Sequence, residues 1–155
     1  MLGSKSKKKI QNPYQIGRNV EFHVCTFLNK LGWSTVLSPG SKGPADIMAT
    51  KYELPIVTQS INQNNLANKI KKTLCIQVKF RSEIEYHSLS STEWHYLANH
   101  SKTCNCIPLL ATVSKFFGKK FEQMNINYEY GRPWNLGNGY VGYFHNILNG
   151  EMFKL

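Results

Sequence analysis

The chain has 155 residues, 41% of them hydrophobic and 18% charged, the size of one domain with enough apolar side chain for a core, which excludes a chain disordered throughout. With 19 Lys and Arg against 9 Asp and Glu the net charge is +10, which favours a polyanionic partner, and the lack of a basic amphipathic helix puts nucleic acid ahead of a membrane surface. No apolar run approaches the length of a membrane span. The lysines Lys5 to Lys9 lead into Ile10-Gln11-Asn12-Pro13 rather than an apolar stretch, so no signal peptide is expected and a cytoplasmic location is.

Residues 1–12 read as a flexible basic arm, in which Lys7, Lys8 and Lys9 offer sequence-independent contacts to phosphates. Residues 13–155 read as one domain, with a core over about 14–117 and a β-rich extension over about 118–155. Cys25 and Cys75 sit in apolar runs and read as small buried hydrophobes. Cys104-Asn105-Cys106 has no second pair at ligand spacing, so neither structural zinc nor a disulfide framework is expected. His23, His87, His95, His100 and His145 show no partner pattern and read as ordinary surface or core histidines.

The first predicted element is a helix over 14–31. Ile16, Val20, Val24, Phe27, Leu28 and Leu31 recur at helical spacing, Pro13 suits its start and Gly32 its end. Glu21 lies at the border of that apolar stripe. A short strand is expected over Trp33–Leu37, then the turn-rich loop Ser38-Pro39-Gly40-Ser41-Lys42-Gly43-Pro44, then a strand over Ala45–Thr50 with Asp46 at its beginning. Residues 53–72 are polar and poorly periodic and read as a long excursion with a short helix around Asn64–Lys71. Lys69, Lys71 and Lys72 read as a solvated face, or as a phosphate contact if the excursion borders the nucleic acid.

Leu74–Arg81 carries the clearest strand pattern. Leu74, Ile76, Val78 and Phe80 point to one face and Cys75, Gln77, Lys79 and Arg81 to the other. Ser90-Ser91-Thr92-Glu93 has the form of a capping box, predicting a helix over Ser91–Lys102 that packs through Trp94, Leu97 and Ala98. Ile107–Val113 is apolar enough for a central strand. In the tail, Asn149-Gly150 predicts a hairpin turn between His145–Leu148 and Glu151–Leu155. Tyr128, Tyr130, Trp134, Tyr140, Tyr143 and Phe144 read first as core or dimer interface and second as a stacking row for bases. This order of elements is that of an α/β fold, a central mixed sheet flanked by helices.

If the strands carrying Asp46 and Gln77-Val78-Lys79 are neighbours, a carboxylate, an amide oxygen and an ammonium converge, and Glu21 can approach from the first helix. Phosphodiester hydrolysis uses such a set. A hard divalent ion binds carboxylate and carbonyl oxygens and keeps several waters. It polarises the phosphoryl oxygen and lowers the pKa of bound water, and a nearby lysine stabilises developing charge. In this reading Asp46 is the central ligand, joined by the Gln77 side-chain oxygen, the Val78 backbone carbonyl and Glu21. An isolated Gln-x-Lys is ordinarily a solvated strand face, an isolated Asp a turn cap and an isolated Glu a helix-surface charge; their joint occurrence in this order is what points to a site.

The segments Gly17-Arg18-Asn19-Val20-Glu21, Ser38-Pro39-Gly40-Ser41, Pro44-Ala45-Asp46-Ile47 and Ile76-Gln77-Val78-Lys79-Phe80-Arg81 resemble the PD-(D/E)xK nuclease superfamily. Within it they look most like the archaeal-type Holliday-junction resolvases, over roughly residues 14–115. The resemblance implies a restriction-endonuclease-like core and Mg²⁺-dependent cleavage of four-way DNA junctions by a homodimer, with Mn²⁺ substituting, in a DNA-associated protein of recombination or repair. It places Glu21, Asp46, Lys79 and Ser41 on catalytic positions, with Ser38 competing for the serine. Arg18 and Arg81 fall where phosphates would be gripped, and Ser38 and Lys42 also border the expected DNA path. Gln77 departs from the family, whose second acid is usually a glutamate; some superfamily branches carry Gln there. Two other readings stand beside the resolvase: a restriction-like or repair nuclease acting on linear duplex, and a catalytically weak nuclease-fold protein that only binds nucleic acid.

Overall fold

The structure is a computed structural model and describes residues 12–39, 43–53, 69–81, 88–116 and 131–155. The described elements are α1 (Pro13–Lys30), β1 (Ser34–Leu37), β2 (Ile47–Glu53), β3 (Ile70–Arg81), α2 (Ser91–Cys104), β4 (Ile107–Lys115), β5 (Trp134–Gly137) and β6 (Tyr140–Asn146). The strands form one six-stranded sheet in the order β1-β2-β3-β4-β6-β5. β3 and β4 run parallel and every other pair antiparallel, so the expected α/β class with a mixed central sheet is what the chain adopts. The parallel pair needs a crossover, and α2 supplies it.

Each helix is bounded by its own local signals. The Asn12 side chain caps α1 by accepting from the Tyr14 amide at 3.1 Å, and Pro13 opens the first turn. Gly32, at φ +88°, ends it in a conformation that a side chain would strain. Val20, Val24 and Leu28 are fully buried against Ile47, Ala49, Leu74 and Ile76; each such side chain contributes about 1.5–3 kcal/mol on burial. The capping box of α2 is present in both halves, with the Glu93 amide donating to Ser90 Oγ at 3.2 Å and the Ser90 amide donating to Glu93 Oε2 at 3.2 Å. Leu97 of α2 packs with Cys75 of β3 and with Ala45. Because Cys75 alternates with Leu74 and Ile76 along the strand, α1 and α2 cover opposite faces of the sheet.

β3 begins at Ile70 rather than Leu74. β2 runs on to Glu53, and its far half offers Ile70 to Thr73 a partner strand that overrides their polar character. The Lys72–Glu53 ion pair, 3.0 Å, spans that end. The expected excursion over 53–72 is therefore shorter at both ends. The helix expected around Asn64–Lys71 is wrong at Ile70 and Lys71, which are strand; its remaining residues, apart from Lys69, lie outside the described ones, as does the basic arm up to residue 11.

The C-terminal segment is part of the main sheet, since β6 pairs with β4 along its whole length. The two-residue hairpin loop is Asn138-Gly139, with φ +52° and +80°, between Gly137 and Tyr140. At Asn149-Gly150 the chain does turn back, with the Asn146 amide donating to the Glu151 carbonyl at 2.9 Å and the Phe153 amide to the Phe144 carbonyl at 2.8 Å. The pairing there is a single bridge, His145 to Met152, and the strand before it is Tyr140–Asn146 rather than His145–Leu148. Of the aromatic row, Tyr143 and Phe144 are buried, and Trp134 and Tyr140 pack against the core around α1. These four hold the fold together; Tyr128 and Tyr130 lie outside the described residues.

Candidate active site

Asp46 stands immediately before β2 and is held at three points. Its amide donates to the Ile76 carbonyl at 2.8 Å, its carbonyl accepts from the Ser38 amide at 2.8 Å, and its Oδ2 accepts from the Val78 amide at 2.7 Å. The β2–β3 ladder ends at Ile47 opposite Ile76. An in-register strand residue projects its N–H and C=O to the same edge, so the Val78 carbonyl points past the end of β2 toward the edge where Asp46 sits. An aspartate whose backbone is held on both sides and whose carboxylate accepts a backbone amide has lost much of its freedom during folding rather than at the moment of binding, which is how a ligand-binding acid is preorganised.

Gln77 and Lys79 project from the α2 face of β3. Together with Gly43, Pro44, Asp46, Glu93 and Tyr96 they line a cleft of about 300 Å³. The expected convergence of Asp46, Gln77 and Lys79 is thus present, and its cause is topological: β2 and β3 are neighbours. Lys79 Nζ donates to Glu93 Oε1, with side-chain exposures of 23% and 39%. That contact holds the Glu93 carboxyl below the usual range. Burial pushes the Asp46 carboxyl up, against the pull of the Val78 amide and of Lys79 and Arg18.

Glu21 is placed differently from Gln77 and Lys79. It belongs to α1, on the other face of the sheet, and is not among the described residues lining the cleft. Arg18 Nη1 donates to Glu21 Oε2 at 2.7 Å and to the Ser38 carbonyl at 3.1 Å, tying α1 to the loop that leads to Asp46. Burial raises the Glu21 carboxyl, and the charge of Asp46 raises it further. Ser38 Oγ donates to the Ala45 carbonyl at 2.6 Å, closing the same loop. Arg81 Nη1 donates to the Phe80 carbonyl at 3.0 Å. Ser41, Lys42, Lys7, Lys8 and Lys9 lie outside the described residues.

Sequence reasoning missed Glu93 and Tyr96 as cleft residues. Glu93 is legible as a capping residue, and that role hides the second one. The signal that could have found it is the β3–α2–β4 order, which sets the first turn of the crossover helix beside the carboxyl end of the preceding strand, where ligands bind in such sheets. Tyr96, one turn further on, lines the cleft and is 65% exposed.

The donor set suits a hard divalent ion. No three His, Cys, Asp or Glu side chains gather as a metal cage among the described residues, but magnesium needs only one or two carboxylates and completes its shell with carbonyl oxygen, water and substrate phosphate. Asp46, the Gln77 amide oxygen and the Val78 carbonyl meet that demand. The two cysteines of Cys104-Asn105-Cys106 are free, as are Cys25 and Cys75.

No helix among the described residues is long and apolar enough to cross a membrane. Neither a family model nor a curated protein matches the chain. Among solved structures it is similar to Hjc, a Holliday junction resolvase from the archaeal hyperthermophile Archaeoglobus fulgidus. The likeness has 22% sequence identity, covers 62% of this chain and 67% of that one, and has a TM-score of 0.43, too slight to carry an activity across.

Proposed function

We propose that the protein is a divalent-metal-dependent DNA endonuclease with a restriction-endonuclease-like core that cuts branched DNA, four-way junctions above all. The observation that supports this best is the backbone-held Asp46 beside Gln77 and Lys79 in one cleft. Asp46, Gln77 and the Val78 carbonyl would hold Mg²⁺, with Mn²⁺ substituting. The ion supplies Lewis-acid polarisation of a phosphoryl oxygen and a water of lowered pKa. Lys79 contributes an ammonium that orients the incoming water and stabilises charge on the phosphorane. Glu21, through Arg18 and the Ser38 carbonyl, steadies the segment that leads to Asp46, and Ser41, which lies between Ser38 and Asp46 in sequence, would serve the same site. Arg18, Ser38, Lys42, Arg81 and the arm lysines Lys7, Lys8 and Lys9 would grip backbone phosphates, consistent with the net charge of +10. A symmetric junction presents two equivalent strands, so the acting species is a homodimer.

A second reading has its own observation. The neutral Gln77 and the engagement of Lys79 by Glu93 suit a nuclease-fold protein that binds nucleic acid without cutting it. One experiment separates the readings. A labelled synthetic junction and a linear duplex of the same sequence are incubated with wild type and Asp46→Ala, in Mg²⁺, Mn²⁺ and EDTA. Paired symmetric nicks in the junction, lost with EDTA and in the variant, are the expected result. Cutting of the duplex as well identifies a restriction-like or repair nuclease, and tight binding without cleavage in either metal identifies the binder.

A further inference from the structure

Among the described residues, the carboxylate that lines the cleft beside Asp46 and Gln77 is Glu93 of α2, while Glu21 belongs to α1 and is held by Arg18. Gln77 brings an oxygen to this cleft but no charge. We propose that Glu93 supplies the second carboxylate of the divalent-cation site whose first is Asp46, doing for the cleft in charge what the amide of Gln77 cannot. This rests on the reading of the cleft as a metal-dependent nuclease site and adds to it a ligand from the crossover helix.

Three features of Glu93 fit the role. First, its carboxylate is already ordered. Oε2 accepts from the Ser90 amide at 3.2 Å and from Ser90 Oγ at 3.1 Å, and Oε1 accepts from Lys79. Second, it has capacity left. An ionised carboxylate offers about four lone-pair sites, and these three bonds leave Oε1 able to accept once more without giving up the cap or Lys79. Third, charge balance calls for it. Asp46 and Glu93 line the same cleft, and a shared divalent cation offsets the repulsion between two carboxylates held there. Among the described residues that line the cleft, Lys79 offsets one of the two negative charges, so their sum is negative with Glu93 and zero without it.

The test is calorimetric titration of the full chain with Mn²⁺, which reads binding independently of cleavage. Glu93→Gln is the informative variant because glutamine at this position keeps the capping box, so α2 retains its start while the charge is lost. The expected result is a weakening of Mn²⁺ binding by about 10- to 100-fold, the range seen when a metal site loses a supporting group. Adding Gln77→Glu to Glu93→Gln should restore most of it, since the charge returns to the same cleft from β3. Ser90→Ala, which removes one of the two Ser90 donors to Oε2 and keeps the carboxylate, should weaken binding far less than Glu93→Gln. Glu93→Gln binding Mn²⁺ as tightly as wild type overturns the inference alone. So does a loss reproduced by Ser90→Ala, or one that Gln77→Glu leaves unrepaired, because Glu93 then acts on the helix or on Lys79. Wild type that binds no Mn²⁺ overturns the reading of the cleft and this inference with it.

Discussion

Asp46 carries two opposed costs, and substituting it separates them. Its Oδ2 accepts the Val78 amide at 2.7 Å in a part-buried position, and burial raises its carboxyl above the ordinary value of 3.8. Asp46→Asn keeps an acceptor for Val78 and removes the charge that burial penalises. Asp46→Ala removes the charge too but leaves the Val78 amide unpaired. The difference between the variants is the cost of one orphaned buried donor, about 1–3 kcal/mol. At about 2–4 °C per kcal/mol for a chain of this size, Asp46→Asn should melt roughly 2–12 °C above Asp46→Ala. Neither variant should cleave DNA. The pH dependence has a definite sign. A carboxyl whose native pKa is raised takes up a proton more readily when folded, so wild type gains stability as pH falls toward the unfolded value. At neutral pH, above the native pKa, wild type bears the full penalty and Asp46→Asn is at least as stable. Below 3.8 that advantage is gone. Thermal unfolding followed by circular dichroism at neutral pH and at pH below the unfolded value reads both effects. Asp46→Asn melting as low as Asp46→Ala at neutral pH would refute the hydrogen-bond argument, because the unpaired Val78 amide would then cost nothing, and Asp46→Asn melting below wild type would refute the charge argument, because the charge would then be stabilising where it stands.

Lys79→Met should keep Mn²⁺ binding and lose cleavage by about 10²- to 10³-fold, the usual loss for one preorganised donor to developing charge; a parallel loss of metal affinity would mean that Lys79 builds the site rather than serving the reaction. Gly142→Ala should lower the melting temperature, because a Cβ there would stand 3.1 Å from Leu136 Cδ1 and 3.3 Å from the Thr112 carbonyl oxygen, an overpacking that costs about 1–3 kcal/mol. An unchanged melt would show that β5 can shift to make room.

What was legible in the sequence was local. Pro13 and Gly32 bound α1, Ser90 with Glu93 opens α2, and the alternation from Leu74 to Arg81 assigns the faces of β3, because caps, turns and the two-residue strand period act over a few residues. The same local rules misled where two candidates competed. Asn138-Gly139 and Asn149-Gly150 carry the same dipeptide. A full hairpin forms at the first because Trp134–Gly137 can lie along Tyr140–Asn146, whereas residues 151–155 pair through one bridge. The polar stretch Ile70–Thr73 became strand because β2 was there to pair with it.

The site divides the same way. Asp46, Gln77 and Lys79 were recognisable by residue type and order, and neighbouring strands bring them together. That Glu21 falls on the face opposite Gln77, and that Glu93 meets Lys79 in the cleft, depend on which side of the sheet each helix packs. The neighbouring apolar residues Val20, Val24 and Leu28 of α1 and Leu97 of α2 set which side of each helix meets the sheet, but which face of the sheet receives each helix is decided by long-range packing. The sequence alone therefore determined the elements and most of the chemistry, while the tertiary structure decided which charges share a cleft, because that depends on long-range packing of apolar faces rather than on any local signal.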